Sequence, residues 1–187
     1  MERQKIKSMQ NKQQLIMLMF LIFLTGCVVG WMYEMVFYRI DTGQFIKRGQ
    51  GFGPWLPIYG FGALAITVLF YKKKESPWAV FLGSAAASGV IEFVTGWTLF
   101  HFGNGLRLWD YNIEIWNWGN IGGYVCLRSV LVFGIAGVFC IYLVIPKIHE
   151  LTEKLRKDAL PAMLLLGIVF MADVVFGYII KPIMYWR

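Results

Sequence analysis

The chain has 187 residues, 58% hydrophobic and 16% charged, with a net charge of +7. Its apolar residues come in several runs near the roughly 20 residues that a bilayer crossing needs, and in water such runs would expose far too much apolar surface. An ordinary soluble domain is therefore excluded. The basic residues sit in short segments between the hydrophobic runs, so topology rather than nucleic acid explains the charge. The composition predicts an all-α, polytopic transmembrane helix bundle of about five spans, a single integral membrane domain over 1–187, multi-pass in the cell membrane.

In chain order, 1–14 is a polar head with Arg3, Lys5, Lys7 and Lys12, read as a cytoplasmic anchor. The first span, about 15–38, is too long for a removed signal peptide and lacks its small-residue cleavage site, so it is retained. Gly26 and Gly30 form a small-xxx-small pair, and Glu34 continues their face by one turn, which predicts close approach of a partner helix. After polar 39–50, with Asp41, Lys47 and Arg48, come Pro54, Pro57 and several glycines within 51–60. Such a stretch enters the membrane as irregular backbone, which lipid tolerates only where protein or water satisfies it. A second, short span follows over about 57–71, and a re-entrant course for part of 51–60 stays open. Lys72, Lys73 and Lys74 form a basic stop, Ser76 and Pro77 a helix start, and the third span covers about 78–100.

Within the third span Ser84, Ser88, Glu92 and Gly96 recur every fourth residue and share one helix face, which must pack against protein or line a wet cavity. A carboxylate facing hydrocarbon is costly, so Glu92 is a candidate functional group. The segment 101–121 is rich in Trp, Asn and Gly, suited to the membrane interface. The fourth span, about 122–145, is expected to stop at Pro146 and Lys147. An amphiphilic connector, 149–158, precedes a fifth span over about 159–180 and a tail over 181–187.

With the N-terminus inside, the inner segments hold Arg3, Lys5, Lys7, Lys12, Lys72, Lys73, Lys74, Lys147, Lys154, Arg156 and Lys157, while the outer ones hold Lys47, Arg48, Arg107, Lys181 and Arg187, with Arg39 at a boundary. This asymmetry predicts a cytoplasmic N-terminus and, after five spans, an outer C-terminus. From Trp78 to Glu92 is roughly 21 Å of helix within a layer of about 30 Å, which puts Glu92 in the outer third. Glu34 and Asp173 count to a similar level, and Arg128 to about 10 Å below the outer start of its span. One shared polar site opening outward is the economical expectation, with Arg128 as counter-ion for Glu92 or Glu34. The structural alternative is that buried Arg and Glu pairs fix helix register. Asp173 stands among apolar residues with no partner evident.

Trp31 with Glu34, the run from Gly53 to Gly62 containing Pro54, Trp55, Pro57, Tyr59 and Gly60, the run from Ser88 to Trp97 containing Glu92, and Trp109, Asp110 and Tyr111 together resemble the ABC-transporter type IV family of small membrane proteins. The resemblance covers about 30–146 and leaves the fifth span and the tail outside. It implies a permease-like role and carries over to Trp31, Glu34, Pro54, Pro57, Tyr59, Gly60, Glu92, Trp109, Asp110 and Tyr111. The family's Asn-Gly-Arg lead into Cys-Leu is here Gly122, Gly123, Tyr124 and Val125 ahead of Cys126 and Leu127, with the arginine following as Arg128.

No phosphate-cradling Gly-rich loop with a following Lys and Ser or Thr is present, so ATP use requires a separate subunit. His101 and His149 are assigned to opposite sides, against a shared metal site, and Cys27, Cys126 and Cys140 read as small hydrophobes. No cofactor or metal is expected. Ser84 and Ser88 show no His partner. As a transporter component the protein would bind a small polar or charged solute through Glu34, Glu92 and Arg128, with Trp31, Tyr59, Trp109, Asp110 and Tyr111 around them. As a membrane enzyme on a lipid or amphiphile it would use Glu34 and Glu92 as an acid and base pair, with Asp110 assisting. As an assembly partner it would offer the same grooves to another membrane protein. The resemblance favours transport. Partners in view are membrane lipid, a separate ATPase subunit docking on 149–158, and a second copy of the chain; nucleic acid is not among them.

Overall fold

The computed structural model describes residues 2–155, 160–181 and 184, and among these the protein is helical, with one isolated bridge between Ile121 and Val125. The elements are α1 (Glu2–Thr42), α2 (Pro57–Phe70) with a 3₁₀ turn (Tyr71–Lys73), α3 (Pro77–Phe102), α4 (Leu127–Phe139) with a π-helical turn (Cys140–Val144), α5 (Ile145–Leu155), and α6 (Leu160–Val175) with a second π-helical turn (Phe176–Ile180). Among the described residues four stretches are long and apolar enough to cross a bilayer: Lys12–Thr42, Pro77–Phe102, Leu127–Lys154 and Leu160–Ile180. The chain divides into two compact units, one of Met1–Leu64 with Ile145–Arg187 and one of Ala65–Val144.

In the first unit α1 outruns the expected 15–38 at both ends. Its 41 residues make a rod of about 61 Å, twice the hydrocarbon thickness of about 30 Å. The polar head is thus part of the helix, though the side chains of Arg3, Lys5 and Lys7 lie outside the described residues. The predicted close approach is met by α2: a Cβ on Gly30 would fall 2.0 Å from the Tyr59 ring, and one on Gly26 would fall 2.8 Å from the Ala63 side chain. The N–H of Leu56, just ahead of α2, donates to the Cys27 carbonyl at 3.0 Å. Loop 43–56 therefore descends beside α1 from Thr42 to the level of Cys27, about 22 Å of helix axis.

Helix α2 and its 3₁₀ turn lie where the short second span was expected, 57–71. The 14 residues of α2 give about 21 Å, too short to cross alone. Irregular chain precedes it, as the prolines and glycines of 51–60 imply. It is tolerated because protein surrounds it: Leu24, Cys27 and Phe170 are buried together, with Trp55 packed on them and its ring centroid 5.5 Å from that of Phe170.

The expected stop at Pro146 is also corrected, since the helix continues through it into α5. A proline inside an α-helix removes an N–H and crowds the preceding turn, and the wider π turn just ahead of Pro146 relieves both. Ile145, Ile148 and Thr152 are buried on one face of α5, while Glu150 and Lys154 form an exposed pair on another. The predicted connector is helical as far as Leu155, and Arg156, Lys157 and Asp158 lie outside the described residues, as does the tail beyond Lys181 apart from Met184.

In the second unit the Ser76 hydroxyl caps α3 by accepting from the Ala79 N–H at 3.3 Å, with Pro77 in the first turn. The face of Ser84, Ser88, Glu92 and Gly96 packs against protein. Gly137 of α4 lies against Ser84, Gly134 lies against Phe81 and Ala85, and Gly96 lies against Tyr124 and Trp109. Helix α4 begins at Leu127, later than the expected 122. Gly122 and Gly123 take positive φ of 61° and 80°, a turn conformation that glycine adopts at little cost and that a helix cannot include.

Candidate functional site

Each unit has, inside a spanning helix, a carboxylate that a tyrosine hydroxyl meets. In the second unit Tyr111 donates its hydroxyl to Glu92 Oε1 at 2.6 Å, and the Ser129 hydroxyl lies 2.7 Å from Glu92 Oε2. Ser129 sits in the first turn of α4, where its hydroxyl is also 2.9 Å from the Cys126 carbonyl. Burial, and then the neighbouring Glu92, push the Tyr111 phenol far above the ordinary tyrosine range. Tyr111 is therefore a fixed donor. Beside it runs a buried ion pair: Arg128 Nη2 donates to Glu114 Oε2 at 2.5 Å and Nη1 to the Ile115 carbonyl at 3.2 Å, with the guanidinium 5.3 Å from the Tyr111 ring centroid.

Loop 103–126 is held by its own polar side chains. Asp110 Oδ1 accepts from the Asn112 backbone at 3.0 Å and the Asn112 side chain at 2.7 Å, and Arg107 approaches at 3.4 Å. Asn120 joins Asn112 to the Gly123 N–H, Asn117 donates to the Tyr111 carbonyl, and the Trp109 indole donates to the Tyr124 carbonyl. The three residues of the Trp-Asp-Tyr motif thus divide the work: Trp109 and Asp110 shape the loop, and Tyr111 reaches the intramembrane carboxylate.

In the first unit Glu34 Oε2 accepts from Arg48 Nε at 2.6 Å, and Glu34 Oε1 accepts from the Tyr59 hydroxyl at 3.0 Å. The same guanidinium lies 3.9 Å from the Tyr38 ring centroid. Partial burial opposes the Arg48 charge, but the hydrogen bond and ion pair with Glu34 outweigh it and raise its pKa. Lower in this unit Asp173 of α6 collects three donors from the irregular loop: the N–H groups of Phe52 at 2.7 Å and Gly53 at 3.1 Å, and the Trp55 indole at 2.7 Å. A Cβ on Gly51 would fall 2.2 Å from Asp173 Oδ2. This carboxylate does for loop 43–56 what water would do outside a membrane.

Of the predicted site residues, Glu34 and Tyr59 come together in one unit, and Glu92, Arg128 and Tyr111 in the other, with Trp109 and Asp110 bracing the loop that carries Tyr111. Trp31 is half-buried and makes no polar or ring contact with these groups among the described residues. The expected pairing of Arg128 with Glu92 or Glu34 is corrected: its ion pair is with Glu114, and that of Glu34 is with Arg48. The expectation compared depths of charges inside spans, whereas both partners arrive on loops folding back into the helices. Ser129, Glu114 and Arg48 were missed as contacts. The signal for Glu114 was a second acid, after Asp110, in a Trp-rich loop, and that for Arg48 its assignment to the same side as Glu34.

No curated protein and no solved structure gives a match. The family model described as "Putative ABC-transporter type IV" matches residues 21–178, so it includes the fifth span that the sequence resemblance left outside. Over that length, with four helices able to cross a bilayer, the chain belongs to this family of membrane transporter components.

Proposed function

We propose that the protein is the permease-like membrane component of a transporter, binding a small polar or charged solute through groups held within its helices and working with a separate ATPase subunit. The observation that carries this reading is the pair of polar clusters around Glu34 and Glu92, each a carboxylate of a spanning helix met by a tyrosine hydroxyl and a second donor. Charged groups at that depth are costly and mark solute paths more often than packing. Glu34 and Glu92 are the solute contacts, with Tyr59 and Tyr111 orienting them. Arg128, tied to Glu114, supports Tyr111 rather than meeting solute directly. The exposed flank of α5, with Lys147, Glu150 and Lys154, offers the ATPase a polar docking face.

The test is purification from native membranes in mild detergent with mass spectrometry of all co-purifying protein and small molecules. The expected result is an ATPase in stoichiometric amount, together with a polar solute that is lost in Glu34→Gln or Glu92→Gln. A chain that purifies alone and turns over a bound lipid would overturn the reading in favour of an enzyme.

A further inference from the structure

Arg48 stands apart from its own loop. Gln44, Phe45, Ile46 and Lys47 are exposed, whereas Arg48 turns inward, and the segment is flanked by Gly43 and Gly49 at φ of 72° and 82°. Such positive-φ glycines let a loop reverse direction sharply without strain. The inward guanidinium meets two kinds of cation partner at once: the Glu34 carboxylate at 2.6 Å and the face of Tyr38 with its centroid at 3.9 Å. Glu34 and Tyr38 are four residues apart on α1 and so share one helix face. Tyr59 holds the other Glu34 oxygen, and its ring lies 6.4 Å from that of Tyr33. A carboxylate beside an aromatic face is the chemistry that recognises organic cations. The side chains of Arg48 and Glu34 keep 26% and 16% exposure, so the pair is open enough for exchange.

We propose that Glu34 and Tyr38 form a binding site for an organic ammonium or guanidinium cation, and that Arg48 is the chain's own displaceable occupant of it. This assignment rests on Glu34 being a solute contact and names the class of solute. Binding expels Arg48 toward solvent, and the glycines on either side let the loop carry it away. An arriving cation must outcompete a tethered one, so the site is weakened by the fraction of molecules in which Arg48 occupies it.

The test uses the full chain in nanodiscs with tetramethylammonium and methylguanidinium as probes. Arg48→Gln should bind them about tenfold or more tightly than the wild type, and Arg48→Gln combined with Glu34→Gln should lose the gain. Limited trypsin digestion of the wild type supplies a readout free of folding effects: cleavage after Arg48, relative to cleavage after exposed Lys47, should rise and saturate with probe. Sodium chloride at equal ionic strength should not reproduce the rise, which separates binding from screening. Discs of phosphatidylglycerol alone, compared with discs of phosphatidylcholine, distinguish a free solute from a lipid headgroup, because a headgroup would expose Arg48 without added probe. The assignment is overturned if Arg48→Gln binds the probes no better than the wild type, or if sodium chloride alone exposes Arg48. Failure of Arg48→Gln to bind either probe, with an ATPase and a solute lost in Glu92→Gln still found in the native purification, would overturn the cation while leaving transport standing. Cation binding with neither ATPase nor solute in the native purification would do the reverse.

Discussion

The loops that meet Glu92 and Glu34 are built in opposite ways. Loop 103–126 is braced from within by Asp110, Asn112, Asn117 and Asn120, and brings a neutral hydroxyl to Glu92, while its acid, Glu114, takes the guanidinium of Arg128. Loop 43–56 is braced from outside, by Asp173 of α6, and brings a guanidinium directly to Glu34. The charge pairs differ accordingly. Arg128 and Glu114 keep 9% and 7% exposure, against 26% and 16% for Arg48 and Glu34. A buried pair with its own backbone contacts is part of the framework, whereas a half-open pair on a glycine-flanked loop is exchangeable.

The largest effect should come from breaking the buried pair. Arg128→Gln leaves Glu114 charged and enclosed, and losing one member of such a pair costs about 3–5 kcal/mol. Arg128→Met with Glu114→Leu should recover most of that loss, because both desolvated charges go together. Arg48→Gln should cost about 1 kcal/mol or less, as expected of partly solvated pairs. Unfolding in detergent micelles measures all three. Equal losses from Arg128→Gln and Arg48→Gln would abolish the distinction between framework and exchangeable pair.

Next in size is Asp173→Ala, which strands two backbone N–H groups and an indole within the first unit. Hydrogen bonds to a charged acceptor contribute about 1.5–3 kcal/mol each and share one carboxylate here, so a loss of about 2–4 kcal/mol is expected. Asp173→Asn, which retains one acceptor oxygen, should lose less. The informative readout is proteolysis of loop 43–56 in intact nanodiscs: faster cleavage there, with loop 103–126 unchanged, is the expected pattern. Unchanged cleavage of loop 43–56 in Asp173→Ala would show that the packing of Trp55 holds it without the carboxylate.

Much of this arrangement was legible because it is written at helical spacing. The Ser84, Ser88, Glu92 and Gly96 face, the Gly26 and Gly30 contact and the start at Ser76 and Pro77 depend on residues within a few turns of one another, where periodicity fixes which side chains share a face. The irregular entry before Pro57 was legible from its prolines and glycines. What escaped depends on how loops return. Asp173 finds Phe52 across 121 positions, and Glu114 finds Arg128 across 14 through a non-helical loop. No spacing rule reaches either. The helix running through Pro146 escaped for a different reason, because a π turn absorbs the missing N–H only once the local backbone has widened.

The smallest expected effect compares the two tyrosines. Tyr111→Phe leaves Glu92 with the Ser129 hydroxyl, which also has the Cys126 carbonyl within reach, whereas Tyr59→Phe leaves Glu34 with a full guanidinium. A lost hydrogen bond costs more where the remaining group is less well satisfied, so Tyr111→Phe should cost about 1–3 kcal/mol and Tyr59→Phe about 0.5–1 kcal/mol. Paired with Ser129→Ala, Tyr111→Phe should cost more than the two single losses added, because the last donor to Glu92 then disappears. Paired with Arg48→Gln, Tyr59→Phe tests the same coupling at the open site, where water can replace what is removed and the sum should hold to within about 0.5 kcal/mol. Strong coupling at Glu34 and none at Glu92 would reverse this comparison, showing that water replaces a lost donor at Glu92 and fails to do so at Glu34.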